Sequence, residues 1–236
     1  MRVQSRHNMG TRDSKRSEGI SPELAAKLAS APFVIGSDEV GLGAWAGPLV
    51  VVGVLVPGDW VPPTGLTDSK AMTEAARERL FDELVSQGVK HIVSAMSAKD
   101  LDIQGVGKAI LQMHRNVHLY LRGDAQNTVS IADGSLNLGS EILSVPRADA
   151  YVSAVSAASV VAKVVRDRMM VNYDGDYPGY NFRENKGYGG DSNHAHTIAL
   201  RKLGPCAIHR RSYKPVADVV RQKESSELQC GWEIEG

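Results

Sequence analysis

The chain is poor in cysteine, with only Cys206 and Cys230 among its 236 residues. Two thiols cannot form a disulfide framework or, alone, a zinc site, so we interpret them as unreactive thiols of a reducing compartment. Long apolar runs are also missing. The longest, residues 49–56, is far shorter than the roughly 20 residues that span a bilayer. Since no apolar leader is present either, we expect no membrane partner and no secretory signal, and we predict a cytoplasmic protein.

The chain has no excess of charge of either sign, because 27 Lys and Arg residues balance 27 Asp and Glu residues. This balance argues against binding of nucleic acid by bulk charge, although it leaves room for a local basic groove. The charge is unevenly placed, with a net +3 over residues 1–18 and a net −4 over residues 224–236. We predict a disordered basic arm over residues 1–20, one domain over residues 21–223 and an acidic tail over residues 224–236.

The hydrophobic fraction of 42% excludes a mainly disordered or fibrous protein, and the apolar pattern predicts an α/β fold. Apolar, β-branched segments at 33–40 and 49–56 predict two strands, and the short turn between them favours antiparallel pairing. The other predicted elements are strands over 89–96 and 128–132 and helices over 73–87, 106–122 and 153–170. This order predicts a mixed β-sheet flanked by helices.

Beyond residue 173 the pattern predicts a long loop followed by a small helical C-terminal part. Residues 174–192 are rich in Gly, Tyr, Asp and Asn, a composition typical of a functional loop. Asp191 or Ser192 is the expected cap of the next helix, and Pro215 is the expected start of the last one.

Four acidic residues stand at the ends of predicted elements: Asp38, Glu39, Asp133 and Asp149. Taken singly, each has a plain structural explanation, as a solvated strand end, an Asp-Gly turn or a charge favoured by a helix macrodipole. Taken together, carboxylates without His or Cys partners select hard cations such as Mg²⁺ or Mn²⁺. Two such ions can activate water and stabilise the leaving oxygen in phosphodiester cleavage.

Two glycine-rich segments are candidates for ligand contact. The segment from Gly41 to Ala46 fits the loose dinucleotide-binding pattern GxGxxA, but Pro48 and a β-type run follow where that pattern requires a helix. Its first three residues, Gly41-Leu42-Gly43, form a tight turn. Its glycines either expose backbone N–H groups to a ligand or sharpen a hairpin. Tyr188 lies among the glycines of residues 185–190, where it either stacks on a sugar or base or is incidental in a turn.

Basic residues and histidines leave further alternatives open. The basic set of the second half is Lys163, Arg166, Arg201, Lys202, His209, Arg210, Arg211 and Lys214. It provides either phosphate contacts or a solvated basic face, and Lys163 is also spaced to pair with Asp167. His114 and His118 lie four residues apart without the glutamate of the HExxH pattern, so we interpret them as surface residues. The pair at residues 194 and 196 is ambiguous.

Together these motifs resemble the ribonuclease HII family of the RNase H-like superfamily. The resemblance runs from about residue 34 to residue 219, with the motifs in family order. They are GSDEVGLGAWAGPLVV at 36–51, DSK at 68–70, DG at 133–134, ADAYVSAVSAASVVAKVVRDR at 148–168, YPGY at 177–180, NKGYGG at 185–190 and HRRSYKPV at 209–216. The set is highly specific, although no single motif is.

The resemblance implies an RNase H-like fold and a metal-dependent endonuclease that cuts the RNA strand of RNA–DNA hybrids. It implies incision 5′ of a ribonucleotide embedded in duplex DNA, leaving 5′-phosphate and 3′-hydroxyl ends. Mg²⁺ or Mn²⁺ is the implied cofactor, held by the catalytic acids Asp38, Glu39, Asp133 and Asp149. The expected partner is an RNA–DNA hybrid or ribonucleotide-containing duplex DNA, and we expect a monomer.

The resemblance also implies the substrate-binding residues. Gly41, Leu42 and Gly43 match the turn whose backbone meets the 2′-hydroxyl region, which distinguishes RNA from DNA. Tyr188 matches a tyrosine that stacks on the sugar beside the RNA–DNA junction, and Lys70 matches a lysine of the same pocket that we expect to contact phosphate.

Two positions depart from the family pattern. Leu42 stands where the family has arginine, and Asn185 stands where histidine usually precedes Lys-Gly-Tyr. Loss of a charged contact costs about 1.5–3 kcal/mol, so substrate affinity or junction preference is expected to change. Two alternatives follow: a nuclease that cuts long hybrids but not single ribonucleotides, and a hybrid-binding protein without useful catalysis.

Overall fold

The computed structural model describes residues 20–66, 72–123, 125 and 127–231, with side chains described as far as residue 225. Within these residues, the strands are β1 (Phe33–Val40), β2 (Leu49–Pro57), β3 (Lys90–Met96), β4 (Thr128–Asp133) and β5 (Leu143–Val145). The helices are α1 (Pro22–Ala29), α2 (Glu74–Ser86), α3 (Ala98–Gln104), α4 (Val106–Arg122), α5 (Ser153–Asp176), α6 (Phe182–Asn185), α7 (Ala195–Leu203) and α8 (Lys214–Gly231). Apart from Ile20, the predicted basic arm lies outside the described residues.

The strands form one mixed sheet in the order β3-β2-β1-β4-β5. β1 and β2 pair antiparallel, as do β2 and β3, whereas β1 pairs parallel with β4 and β4 with β5. The predicted mixed sheet and the antiparallel pairing of the first two strands are confirmed. Because β1 and β4 run in the same direction, their carboxyl ends reach the same edge of the sheet.

Helices cover both faces of this sheet, as predicted. On one face α5 packs over β2 and α2 packs against α5, burying Val50, Val52 and Val54. On the other face α4 packs over the alternate residues Leu49 and Val51. Since neighbouring residues of a strand point to opposite faces, β2 contributes to both apolar layers. The two layers together form the core that fixes the position of the sheet edge.

Helix α5 lies close against β1 because both elements present little side-chain volume. A Cβ atom on Gly36 would come within 2.4 Å of backbone atoms of Ala154 and Val155, so only glycine fits at this position. Ala157 and Ala158 continue the buried face of the helix. These small side chains let the helix approach the sheet closely.

The predicted long loop is partly wrong. Helix α5 continues to Asp176, beyond the predicted end at Met170, and α6 also lies within residues 174–192. Polar residues near the end of α5 interrupt the apolar pattern in the sequence, although the helix continues to pack on its apolar side. There, Tyr173 and Tyr177 pack against the buried cluster that contains Phe182.

The C-terminal part is helical, as predicted, but the expected cap is wrong. His194 caps α7, since its Nδ1 accepts a hydrogen bond from the backbone N–H of His196 at 3.3 Å. Asp191 and Ser192 precede this cap. Helix α8 runs on to residue 231, so the beginning of the predicted acidic tail is helical. No helix within the described residues is long and apolar enough to cross a membrane.

Candidate active site

Asp38 and Asp133 lie side by side at the carboxyl edge of the sheet. The last registered pair between β1 and β4 is Ser37 with Ala132, and each acid is the next residue on its strand. Neighbouring strands are about 4.8 Å apart, so the two backbones hold these carboxylates close together. Topology thus brings together two of the predicted site residues that are 95 positions apart in the chain.

The carboxylate of Asp38 is buried, with 5% of the residue exposed. Burial raises the pKa of Asp38 to about 7; a hydrogen bond with Ser159 of α5 opposes this shift, and the charges of Glu39 and Asp133 add to it. Its Oδ1 also accepts a hydrogen bond from the backbone N–H of Glu39 at 2.7 Å. Negative charges therefore accumulate at this edge in a poorly solvated position.

Asp133 connects this edge to the segment that carries Asp149. Its Oδ1 accepts a hydrogen bond from the backbone N–H of Ala148 at 2.7 Å, which begins a short 3₁₀ turn at Ala148–Ala150. Asp149 lies within that turn, is 4% exposed, and its backbone carbonyl accepts a hydrogen bond from Ser156 Oγ at 2.5 Å. The carboxylate of Asp133 thereby anchors the turn that positions the fourth acid.

The donor set fits a hard divalent cation. The four predicted acids offer only carboxylate oxygens, and a cation would offset both the burial and, to a smaller extent, the neighbouring negative charges that raise the pKa of Asp38. Within the described part of the chain, no three His, Cys, Asp or Glu side chains are grouped so that they could hold a metal ion. The structure thus places Asp38 beside Glu39 and Asp133, without assembling the four acids into a finished coordination cage.

The interpretation of His114 and His118 as surface residues is wrong. They are 0% and 1% exposed, and both contact Ser37 of β1. The second ring nitrogen of His114 lies 3.3 Å from Glu39 Oε2. The sequence did carry a signal for this burial, because both histidines fall on the apolar stripe of α4 that contains Met113, Val117 and Leu121.

The turn at residues 41–43 is fixed by contacts to its backbone atoms. Gly41 has a φ of +91°, and a Cβ there would lie 2.2 Å from Arg166 Nε, so both conformation and space require glycine. The carbonyl oxygen of Leu42 accepts hydrogen bonds from Arg210 at 3.1 Å and from Tyr213 Oη at 2.6 Å. The side chain at position 42 points outward, with 41% of the residue exposed. A Cβ on Gly43 would meet nothing within 4 Å, so the turn faces open space.

The segment around Tyr188 lies against this turn. The carbonyl oxygen of Gly187 accepts hydrogen bonds from the backbone N–H groups of Trp45 at 2.8 Å and Ala46 at 3.2 Å. Tyr188 is half-buried, and the guanidinium of Arg166 lies 5.3 Å from its ring centroid. The structure therefore brings together the two segments that the sequence marked for substrate contact, while Lys70 lies outside the described residues.

Asn185 stabilises the same segment rather than extending from it. Its Nδ2 donates to the carbonyl oxygen of Tyr180 at 2.7 Å, and its Oδ1 accepts from the backbone N–H of Gly187 at 2.8 Å. Both ends of the amide are thus engaged within the protein. In this structure, the side chain that replaces the family's histidine serves to shape the loop.

Two arginines of the predicted basic set are fully buried. Arg166 donates hydrogen bonds to the carbonyl oxygens of Pro48 at 3.0 Å, Ala46 at 3.2 Å and Lys186 at 2.9 Å. Arg210 donates to the carbonyl oxygen of Gly47 at 3.1 Å. Burial lowers the pKa of Arg166 to about 10. These two side chains are therefore neither a solvated face nor free phosphate contacts, and instead fix the backbone of the glycine-rich segments.

The rest of the basic set divides by exposure. Lys163 pairs with Asp167 at 2.8 Å, as predicted, and the exposed members are Arg201, Lys202, Arg211 and Lys214. His209 is buried: its Nδ1 accepts from the backbone N–H of Cys206 at 3.0 Å, and its Nε2 is 3.0 Å from His196 Nε2. The other nitrogen of His196 contacts the carbonyl oxygen of Tyr188 at 3.0 Å. This buried pair of histidines thus packs against the Tyr188 segment and contacts its backbone.

Comparison with known proteins gives one consistent result. The family model described as Ribonuclease HII matches residues 35–216 of the chain. Ribonuclease HII of Salinispora tropica is 40% identical over 187 residues, which are 79% of this chain and 68% of that protein. Ribonuclease HII of Mycobacterium ulcerans is 38% identical over 216 residues, covering 90% of this chain and 88% of that protein.

Solved structures show the same fold at lower identity. The chain is similar to the ribonuclease H2 of Pyrococcus horikoshii, with a TM-score of 0.65, 22% identity and coverage of 80% of this chain and 98% of that one. It is also similar to a structure of Bst-RNase HIII in complex with Mn²⁺, with a TM-score of 0.66, 22% identity and coverage of 88% and 76%. The RNase H-like architecture expected from the sequence is confirmed.

Proposed function

The chain belongs to the ribonuclease HII family, and from this premise we propose that it incises the strand 5′ of ribonucleotides embedded in duplex DNA. Members of this family are metal-dependent endonucleases that act on RNA in RNA–DNA hybrids. In the proposed reaction two divalent ions take part, and the products carry 5′-phosphate and 3′-hydroxyl ends. Residues 21–223 would form the catalytic domain of a cytoplasmic monomer with a role in ribonucleotide repair.

The observation that carries this proposal is the position of Asp38 beside Asp133, each one residue beyond the last registered pair of the parallel strands β1 and β4. Glu39 is adjacent in the strand, and Asp149 lies in the turn that Asp133 anchors. These four acids would hold Mg²⁺ or Mn²⁺, and a protein of similar fold was solved with Mn²⁺. When bound, the ions would supply an activated water and stabilise the leaving oxygen.

The chain's own residues would bind and orient the substrate beside these acids. The turn at residues 41–43 and Tyr188 would act together, since hydrogen bonds join Trp45 and Ala46, just after the turn, to Gly187. The open space at Gly43 suits the approach of a ribose 2′-hydroxyl to backbone donors. Lys70 remains a predicted phosphate contact.

Cleavage of a labelled duplex that carries one ribonucleotide tests the proposal. In Mg²⁺ and in Mn²⁺ we expect a single cut 5′ of the ribonucleotide, reduced roughly a thousandfold by Asp38→Asn, equivalent to about 4 kcal/mol. The variant should stay folded in thermal melts, because Asn removes a buried charge. Asp82→Asn, an exposed position on α2, is the matched control. Full activity of Asp38→Asn would refute the assignment of the site.

The exposed Leu42 favours a second candidate, a nuclease of the same family with altered substrate preference. Without a guanidinium at this position, the turn keeps its backbone donors and loses a charged contact. Cleavage of a long RNA–DNA hybrid without incision at a single ribonucleotide would support this candidate. Binding of both substrates without cleavage in either metal would instead indicate a hybrid-binding protein.

A further inference from the structure

A hydrogen-bonded network of buried polar side chains lies behind Glu39, between β1 and α4. Ser37 Oγ is 2.8 Å from His114 Nδ1 and also 2.8 Å from His118 Nε2. His114 Nε2 lies 3.3 Å from Glu39 Oε2. Ser37 and His114 have no exposed surface, and His118 is 1% exposed. These contacts link the interior of the sheet to one of the four proposed metal-binding acids.

The chemistry of these four side chains fixes the direction of the hydrogen bonds between them. An ionised carboxylate only accepts hydrogen bonds, so Nε2 of His114 carries the proton that faces Glu39. In a neutral ring Nδ1 of His114 is then an acceptor, and it takes the hydroxyl proton of Ser37. The Ser37 oxygen in turn accepts from Nε2–H of His118. Each group thus has one consistent role.

The one unpaired ring nitrogen of this network agrees with the direction of its hydrogen bonds. His118 Nδ1 is buried and has no hydrogen-bond partner among the described residues. With protons placed as above, this atom is a bare acceptor. If His114 also carried a proton on Nδ1, Ser37 Oγ would have to accept from it, and either the hydroxyl proton of Ser37 or a buried N–H of His118 would be left without an acceptor among these groups. Hydrogen bonds that run from His118 through Ser37 and His114 to Glu39 account for all of these contacts.

We propose that His114 is a positioning residue whose Nε2–H group holds the carboxylate of Glu39 in one orientation. Ser37 and His118 fix the tautomer and the ring plane of His114. The inference rests on the proposed function, in which Glu39 binds metal. Groups that hydrogen-bond a ligating carboxylate tune metal affinity, and their loss typically costs 10–100-fold.

Two substitutions at position 114 separate positioning from packing. The amide of glutamine reaches about as far as Nε2 of histidine, so His114→Gln keeps a donor for Glu39. The shorter His114→Asn keeps a partner for Ser37 and loses the donor to Glu39. Mn²⁺ binding to the full chain, measured by calorimetry and by electron paramagnetic resonance, is the readout, with Glu39→Gln as the reference for a lost ligand.

We expect His114→Asn to weaken Mn²⁺ binding about 10–100-fold and His114→Gln to stay within about threefold of the unaltered chain. In the metal-free, unaltered protein, nitrogen NMR should show the ring proton of His114 on Nε2, facing Glu39, and none on Nδ1. Unchanged binding by His114→Asn, equal losses in both variants, or a different tautomer would overturn the inference.

The reference variant shows which proposal has failed. If Glu39→Gln binds Mn²⁺ as tightly as the unaltered chain, the proposed metal site is wrong, and the role of His114 falls with it. If Glu39→Gln loses affinity and His114→Asn does not, only the role of His114 is wrong. The tautomer is read without metal and without either variant, so the inference can be refuted even if a variant fails to fold.

Discussion

Leu42 places an apolar side chain on the surface of the turn that we propose to meet the substrate. Its carbonyl oxygen is held by Arg210 and Tyr213, so the course of the backbone does not depend on the side chain. An exposed side chain at this position can therefore be exchanged with little cost to folding. The resemblance to a family with arginine here makes the position a direct test of how charge contributes to substrate binding.

Leu42→Arg is expected to strengthen binding of a ribonucleotide-containing duplex by about 1.5–3 kcal/mol, because it adds a charge-assisted contact to phosphate. The slope of log affinity against log salt should steepen by about 1. Titration of a labelled duplex at several salt concentrations measures both effects. Leu119→Arg, which adds the same charge at an exposed position of α4, is the control, and an equal gain in both variants would refute a local role for position 42.

Arg166 connects the two glycine-rich segments. This one side chain of α5 bonds to carbonyl oxygens in both residues 46–48 and residue 186, so it joins the turn to the Tyr188 segment. A planar guanidinium can serve three acceptors at once, whereas the ammonium group of lysine is a single point on a flexible stem. The two substrate segments are therefore held as one unit by a helix of the core.

Arg166→Lys is expected to lower the free energy of unfolding by about 2–4 kcal/mol, because buried carbonyl groups lose their donors. Arg168→Lys provides a matched control on the same helix: its side chain is 51% exposed and pairs with Glu78, so its loss should cost less than about 1 kcal/mol. Urea denaturation of both variants measures the difference. Similar small losses in both would show that the buried contacts contribute little.

The secondary-structure elements were predictable where apolar periodicity is undisturbed. β1 and α4 match the predicted segments because their buried faces are continuous in sequence. The end of α5 was missed because the partly buried Tyr173 of its last turns lies among polar neighbours. The cap at His194 was missed because histidine is an uncommon cap residue, whereas Asp191 and Ser192 are of the preferred type.

Candidate site residues could be proposed from the sequence where their chemistry does not depend on the fold. Four acids at element ends suggest a cation whatever the fold, but only the parallel register of β1 and β4 shows that Asp38 and Asp133 are neighbours. The burial of Arg166 could not be read from composition, since charged residues are mostly exposed. It depends on backbone carbonyl groups that are about 120 residues away in the chain.

The domain as a whole buries histidines that must stay neutral. Burial lowers the pKa of His118 to about 3, with a smaller effect from the neighbouring His114 and Arg122. Burial also lowers the pKa of His209 to about 3, together with the charge of His196. In the unfolded chain both rings titrate near pH 6.5. Protons therefore bind the unfolded state more tightly, and acid shifts the equilibrium toward it.

The sign of this linkage predicts acid sensitivity between about pH 6.5 and pH 3. Above pH 6.5 both rings are neutral in either state and cost nothing; below it, each lowers the free energy of unfolding by up to about 1.4 kcal/mol per pH unit. Urea denaturation at pH 7, 6, 5 and 4.5 measures the slope.

His118→Gln can keep a donor for Ser37 but cannot titrate, so it should make the slope of unfolding free energy against pH shallower by up to that amount. His91→Gln, at a half-buried position of β3, is the control, and equal slopes for His118→Gln and the unaltered chain would show that His118 is not the group that acid protonates on unfolding.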